Sequence, residues 1–95
     1  MVQIKFTNTV SYHQKLNQQL AELLGHSYVP NLHTYCTNWA ITGPLVQKYH
    51  ISLNEIVPNV CWEARTKEKI ESGSTPLTAI VKLSIKLLEN KNGSN

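Results

Sequence analysis

The sequence predicts a single α+β domain, in which a small antiparallel sheet of two to three strands packs with about three helices. Apolar residues recur at helical spacing in segments 12–24 and 76–89, while residues 60–65 alternate between apolar and polar side chains. The chain has 95 residues, the size of one small domain with a thin core. We therefore assign residues 1–89 to this domain and residues 90–95 to a disordered polar tail.

The beginning of the chain is predicted to form a strand and then a helix. Residues 2–6 alternate apolar and polar side chains, which is typical of a strand with one buried face. Ser11 and Gln14 then have the spacing of a capping box, and the leucines that follow share one helical face as far as Gly25, which can end a helix. We expect the first helix over residues 12–24.

The middle of the chain predicts a loop, a second helix and two strands. Residues 26–37 form the loop, and the helix follows from Asn38 to about Tyr49, with Thr37 or Asn38 as its cap. Because Gly43 and Pro44 interrupt it, this helix is either kinked there or begins afresh at Pro44. The other elements expected in this part are two strands and a polar loop, at residues 51–53, 60–65 and 66–74.

The last helix has the strongest start signal in the chain. Thr75 is placed to cap it and Pro76 occupies its first helical position. Its apolar positions cover about 200° of the circumference, more than a small sheet and one neighbouring helix would bury. We therefore expect a homo-oligomer that forms through this helix, and the alternative is that the wide stripe marks a central helix. The residues expected between copies are Leu77, Ile80, Leu83 and Leu87.

Composition limits the classes of partner. Nine Lys and Arg residues stand against six Glu, and the net charge is +3. The basic residues are scattered, which argues against a module that binds duplex DNA, while their surplus favours an anionic partner. No segment is long and apolar enough to span a membrane and Met1 begins no signal peptide, so we expect a cytoplasmic protein with Cys36 and Cys61 reduced.

Neither catalysis nor metal binding is expected, and we predict no cofactor. His26, His33 and Cys36 lie close in sequence, but without the spacing of a zinc site. Either cysteine, Cys36 or Cys61, could be written as a nucleophile with His33 or His50 as its base. However, the sequence has no Asp to orient the base, no nucleophile elbow and no Walker loop.

Aromatic residues and helix starts favour a ligand-binding site. Most of the aromatic residues lie between Tyr28 and Trp62. Flat rings stack on nucleobases, and the free N–H groups at a helix start bind phosphate. The alternative is that both tryptophans belong to the core. The residues predicted to bind a ligand are Thr37, Asn38, Trp39, Gly43, Trp62, Arg65, Ser74 and Thr75.

Three ordered blocks of the sequence resemble the NinX-like family of small bacteriophage proteins. They are residues 37–46 (TNWAITGPLV), residues 62–64 (WEA) and residues 73–79 (GSTPLTA). One departure is Asn38, where the family typically has an acidic residue. The resemblance implies a phage accessory protein that acts in the cytoplasm of an infected bacterium, in a family without an established activity. Small phage proteins of this kind often counter host defences.

Two functional hypotheses follow. The first is a non-catalytic counter-defence protein that sequesters a small nucleotide immune signal, with a tryptophan stacked on the base and Arg65 neutralising phosphate. The second is a protein-directed inhibitor, similar in mode to an anti-CRISPR protein, that covers a surface of a host effector. The expected partner is therefore a small nucleotide or a host defence protein.

Overall fold

A computed structural model describes the backbone of residues 2–93 and the side chains of residues 12–90. Within these residues the chain forms three helices and three antiparallel strands, so the predicted α+β class is confirmed. The elements are α1 (Val2–Leu23), α2 (Trp39–Tyr49), β1 (Ser52–Val57), β2 (Cys61–Arg65), β3 (Ile70–Gly73) and α3 (Pro76–Gly93).

Helix α1 is longer than predicted and includes the segment for which we expected a strand. The prediction of a strand over residues 2–6 is wrong, because the helix runs from Val2 to Leu23. Five alternating residues are too few to separate a period of two from the helical period. Once the later turns are anchored, extending a helix backwards is easier than starting a new element. The anchor is the C-terminal half of α1, where Leu20 and Ala21 are fully buried.

The loop between α1 and α2 is fixed to the core by side chains from both helices. The buried side chain of Asn17 accepts a hydrogen bond from the backbone N–H of Cys36 at 2.9 Å. The buried hydroxyl of Thr42 donates to the carbonyl of Tyr35 at 2.5 Å. Because both bonds are shielded from water, they hold Tyr35 and Cys36 in the interior although neither belongs to a helix or strand.

Helix α2 begins after Asn38, as predicted, and continues through Pro44. The Asn38 side chain accepts a hydrogen bond from the Ala40 N–H at 2.9 Å, which caps the helix. Pro44 removes the N–H that would bond to the Ala40 carbonyl, but both residues are exposed, so water can bind that carbonyl. The predicted interruption therefore does not divide the helix, which ends at His50 in the left-handed conformation.

The three strands form one sheet in the order β1-β2-β3. In its register Ala64 lies between Leu53 on β1 and Glu71 on β3, while Trp62 lies opposite Gly73. Ala64 is fully buried, and the half-buried Trp62 packs against the core on the same face. The other face of β2 carries Cys61, Glu63 and Arg65, as the alternation in the sequence predicted.

Strand β3 lies where we expected a polar loop over residues 66–74. The sequence does not predict this strand because its inward position, Glu71, is charged and its outward position, Ile70, is apolar. Glu71 is directed to α3, where its carboxylate oxygens lie 3.1 Å from Lys86 Nζ and 3.9 Å from Lys82 Nζ. Ile70 points outward and is 53% exposed. The ion pairs satisfy Glu71, and no apolar alternation is left to predict the strand.

Helix α3 is the central helix and contacts β2, β3, α1 and α2. Its Ile80 and Leu83 side chains have no exposed surface and that of Leu77 has 7%, while Leu87 is half-buried against the core. Leu77, Ile80 and Leu83 are thus buried within the chain itself and are not exposed for contact with a second copy, while the homo-oligomer stays a prediction. Because α3 has neighbouring elements on several sides, its wide apolar face is buried within the chain.

Helix α3 also continues beyond residue 89 to Gly93, so residues 90–93 of the expected polar tail are helical. The last two residues of that tail, 94–95, lie outside the described residues. Within residues 2–93, none of the helices is both long enough and apolar enough to traverse a bilayer.

Candidate functional site

An open cleft of about 1100 Å³ lies where the end of α2, the β2–β3 hairpin and the C-terminal half of α3 meet. One wall is helical: Tyr49 and His50 come from the end of α2, and Leu87 and Asn90 come from α3. Tyr49 packs against the core, and Lys48 Nζ lies 5.4 Å from the centroid of its ring. This wall therefore consists of an aromatic residue with a cation over its ring, a histidine, an aliphatic residue and an asparagine.

The second wall is the hairpin that joins β2 to β3. The Thr66 hydroxyl accepts hydrogen bonds from the backbone N–H groups of Glu68 and Lys69, at 3.3 and 3.2 Å. The Thr66 N–H in turn donates to the Lys69 carbonyl at 2.9 Å. These bonds close a tight turn with Lys67 and Glu68 at its tip, and Arg65 immediately precedes it.

Positive charge predominates on the hairpin wall. Arg65 and Lys67 line it together with one acidic residue, Glu68, and Ser52 of the neighbouring strand β1 also lines the cleft. The Arg65 guanidinium lies 3.3 Å from the Glu63 carboxylate, but its side chain is 53% exposed. Among the described side chains Glu63 is its one ion-pair partner, so this exposed guanidinium keeps donors for a second anion, because it carries five N–H groups.

The residues predicted from the sequence to bind a ligand, all of them described, do not meet at this cleft except for Arg65. Those from the start of α2 lie one whole helix away from Tyr49 and His50, which line the cleft. Trp39 is 50% exposed there, with its Cε3 atom 3.9 Å from the position of a Cβ on Gly43. The group at this end of α2 is Thr37, Asn38, Trp39 and Gly43.

Trp62 and the start of α3 form a second separate group. Trp62 pairs with Gly73, which places its strand position beside Ser74 and Thr75. Arg65 ends the same strand, on the opposite face of the sheet. Ser74 and Thr75 are exposed, while Trp62 is half-buried. The structure thus places Trp62 near one predicted helix start and separates both from Arg65.

At each predicted helix start a capping side chain binds one of the free N–H groups. Thr75 Oγ1 accepts from the Thr78 N–H at 3.1 Å, as Asn38 Oδ1 does from Ala40 at α2. These side chains therefore cap their helices. Capping is the structural alternative to the phosphate site that the same sequence pattern suggested.

Sequence reasoning missed Tyr49, Leu87 and Asn90 as neighbours of Arg65. A weak signal was present for Lys67, since it belongs to the one local group of basic residues in the chain. No local signal marks Asn90, which reaches the cleft because α3 extends past residue 89.

The histidines and cysteines considered as metal ligands have other contacts. The rings of His26 and His33 are stacked with their centroids 5.5 Å apart, and His33 Nδ1 accepts the Val29 N–H at 2.8 Å. Burial raises the pKa of the Cys36 thiol to about 11. Across the part of the chain that the structure describes, no three His, Cys, Asp or Glu side chains converge as metal ligands.

The fold and the cleft together define a small α+β domain with a cation-bearing cleft beside its sheet. Compared with family models, with curated proteins and with solved structures, the chain matches none of them.

Proposed function

We propose that the protein is a non-catalytic phage accessory protein, related to the NinX-like family, that counters a host defence by binding a small nucleotide signal in the Arg65 cleft. The observation that carries this proposal is the combination of Arg65, Lys67 and the Tyr49 ring in one cleft of about 1100 Å³. Ligand pockets commonly have volumes of about 300–1000 Å³, so a nucleotide larger than a mononucleotide has room here.

The chemistry of the two walls matches the two parts of a nucleotide. Phosphate oxygens can accept charge-assisted hydrogen bonds from Arg65 and Lys67 on the hairpin wall. Stacking of a base on an aromatic ring is typically worth about 1–3 kcal/mol, and Tyr49 is the aromatic residue of the helical wall. Binding alone lowers the free concentration of a signal, so sequestration requires no chemical step.

The thiols also favour binding over catalysis. Cys36 is 4% exposed and burial raises its pKa, which disfavours the reactive thiolate. Cys61 is half-buried on β2 and is not among the residues that line the cleft. The phage setting and the counter-defence role rest on the resemblance to the NinX-like family.

Calorimetry against cyclic dinucleotides and ADP-ribose derivatives tests the proposal. We expect at least one of them to bind, and Arg65→Gln to weaken binding about tenfold by removing charge-assisted hydrogen bonds. Lys15→Gln, which removes the same charge from an exposed position on α1 outside the cleft, should leave the affinity unchanged. Absence of binding by every nucleotide, or equal effects of the two substitutions, would contradict the proposal.

A second candidate function, inhibition of a host protein by surface contact, is favoured by the β1–β2 hairpin. Ile56, Val57 and Val60 are 49, 45 and 60% exposed, and clustered apolar surface is typical of protein contacts. If this hairpin binds a host effector, Val60→Lys should abolish co-purification of that effector from infected cells, whereas Arg65→Gln should not. If no host protein co-purifies with the wild type, the nucleotide-binding cleft is favoured instead.

A further inference from the structure

We infer that the outer edge of strand β1 pairs antiparallel with the same edge of a second copy of the chain, which joins two three-stranded sheets into one sheet of six strands. Within the described residues β1 lies at one end of the strand order, and five of its six residues are exposed. An exposed edge strand is a template for pairing with another chain. The inference does not depend on what binds in the cleft.

A hydrogen bond in the β2–β3 turn shows which backbone groups of β1 face this outer edge. The Thr66 N–H donates to the Lys69 carbonyl, so these two residues form a hydrogen-bonded pair at the end of the β2–β3 ladder. Because such pairs alternate along an antiparallel ladder, the even-numbered residues of β2 direct their backbone groups to β3 and the odd-numbered ones to β1. Leu53 and Glu55 lie opposite even-numbered residues. Their N–H and C=O groups therefore point away from β2, to the outer edge.

One antiparallel register pairs all four of these groups with each other. It places Leu53 opposite Glu55 of the second copy and Glu55 opposite its Leu53, with the twofold axis at Asn54. A shift that brings the two Leu53 residues together would put Glu55 opposite Ile51, whose N–H already donates to the Val46 carbonyl at 2.9 Å. The opposite shift would bring the two Glu55 residues directly opposite each other, and like charges in that position are destabilising. The edge is therefore complementary to itself in one alignment.

The side chains of β1 permit this approach. The strand has neither lysine nor proline, the residues that commonly prevent pairing at an edge. Its one carboxylate, that of Glu55, is turned back into its own hairpin, where it accepts the Asn59 N–H at 2.9 Å. Asn54 is exposed and lies opposite Glu63 on the face of the sheet away from α3. A bulge after Glu55 ends the regular ladder, which confines the pairing to the first four residues of the strand.

The other edge of the sheet, strand β3, is less suited to this pairing. It has four residues, and its end lies against α3, where a Cβ on Gly73 would be 2.7 Å from the Ala79 nitrogen. A second strand laid along this end would have to share the space with the helix. A homo-oligomer of this chain would thus form through β1 and not through the buried residues of α3.

Light scattering of the full chain at submillimolar concentration tests the inference. We expect the wild type to have twice the mass of one chain, which is 10.8 kDa. Asn54→Lys brings two ammonium groups together at the axis and should raise the dissociation constant of the dimer by about tenfold or more. Ser72→Lys is the matched control, because Ser72 is exposed in the same cross-strand row on the outer edge of β3. It should leave the dissociation constant unchanged.

Disulfide cross-linking tests the register itself. The Cα atoms of a non-hydrogen-bonded antiparallel pair lie about 4.5 Å apart, a separation that a disulfide can span. Asn54→Cys, in a chain that also carries Cys61→Ser, should therefore give a covalent dimer on oxidation. Ser72→Cys in the same background should stay monomeric in denaturing electrophoresis without reductant.

The remaining outcomes would contradict the inference. A monomeric wild type would overturn it and would favour a host protein as the partner of the β1–β2 hairpin. Equal effects of the two lysine substitutions, or a larger effect of Ser72→Lys, would overturn the assignment to β1. A dimeric wild type in which Asn54→Cys forms no cross-link would contradict pairing about Asn54.

Discussion

Gly73 at the end of β3 lies directly against the first turn of α3. A Cβ atom on Gly73 would be 2.7 Å from the backbone nitrogen of Ala79 and 3.1 Å from the Thr78 Cβ. The strand ends at Gly73 and the helix begins at Pro76, so the chain reverses within two residues, Ser74 and Thr75. The missing side chain is what allows the sheet and the central helix to approach this closely.

We predict that Gly73→Ala destabilises the protein by about 1–3 kcal/mol, since backbone atoms must move to admit the methyl group. The measurement is urea unfolding followed by circular dichroism. Gly43→Ala is the matched substitution: its Cβ would meet only the Trp39 ring, at 3.9 Å. It should be neutral or stabilise the helix by up to about 1 kcal/mol. Similar stabilities of the two variants would contradict the close packing at Gly73.

The ion pair between Glu71 and Lys86 gives a second prediction. Their charged atoms lie 3.1 Å apart and the Glu71 side chain is only 16% exposed, so solvent screens this pair less than a fully exposed one. A double-mutant cycle with Glu71→Gln and Lys86→Ala should give a coupling free energy of about 0.5–1 kcal/mol.

The coupling should also fall as sodium chloride is added, because part of the interaction is reached by solvent. Glu68→Gln removes a carboxylate from the exposed hairpin tip and should change the stability by less than about 0.5 kcal/mol. A coupling of zero at low salt would show that Glu71 is held by packing and not by its cations.

The starts of α2 and α3 were predictable because capping is a local property. Asn38 and Thr75 each bind an N–H group within three residues along the chain, so a few neighbouring residues are enough to predict each cap. Strand β3 was not predictable for the opposite reason. Glu71 is stable on the buried side only because Lys82 and Lys86 approach from α3, and that contact depends on the tertiary structure and not on the local sequence.

The candidate site was predictable only at Arg65. Arg65 belongs to β2, whereas the other residues that line the cleft come from the end of α2, from β1, from the β2–β3 turn and from α3. Which helix end borders a cleft depends on how the helices cross, and no local pattern encodes that. The sequence therefore pointed to helix starts, whereas the cleft is bordered by the end of α2.

Substitutions of Thr75 test whether the start of α3 is a helix cap or a phosphate site. Its hydroxyl accepts the Thr78 N–H at 3.1 Å and forms a hydrogen bond with the Thr78 hydroxyl at 2.9 Å. Thr75→Ala should therefore cost about 1 kcal/mol of stability while the nucleotide affinity stays unchanged, and Thr75→Ser should restore the stability. A loss of affinity without loss of stability would instead favour a phosphate site at the start of α3.

The pH dependence of stability should report the burial of Cys36. The side chain is 4% exposed, and burial raises the pKa of its thiol from an ordinary value of 9.0 to about 11. The folded protein thus holds this proton more tightly than the unfolded chain. The stabilisation is complete below the unfolded pKa and is lost as the pH rises through the folded pKa.

We therefore expect the stability of the wild type to fall, relative to that of Cys36→Ala, by about 1–3 kcal/mol between mildly and strongly alkaline pH. Urea unfolding of both proteins over this range measures the difference. Burial also raises the pKa of Tyr35, which lowers stability in the same direction, but Tyr35 is present in both proteins and cancels in the comparison. Parallel pH profiles would mean that Cys36 is as accessible to water in the folded protein as in the unfolded chain. The hydrogen bond from its backbone to Asn17 would then not be holding the loop in the core.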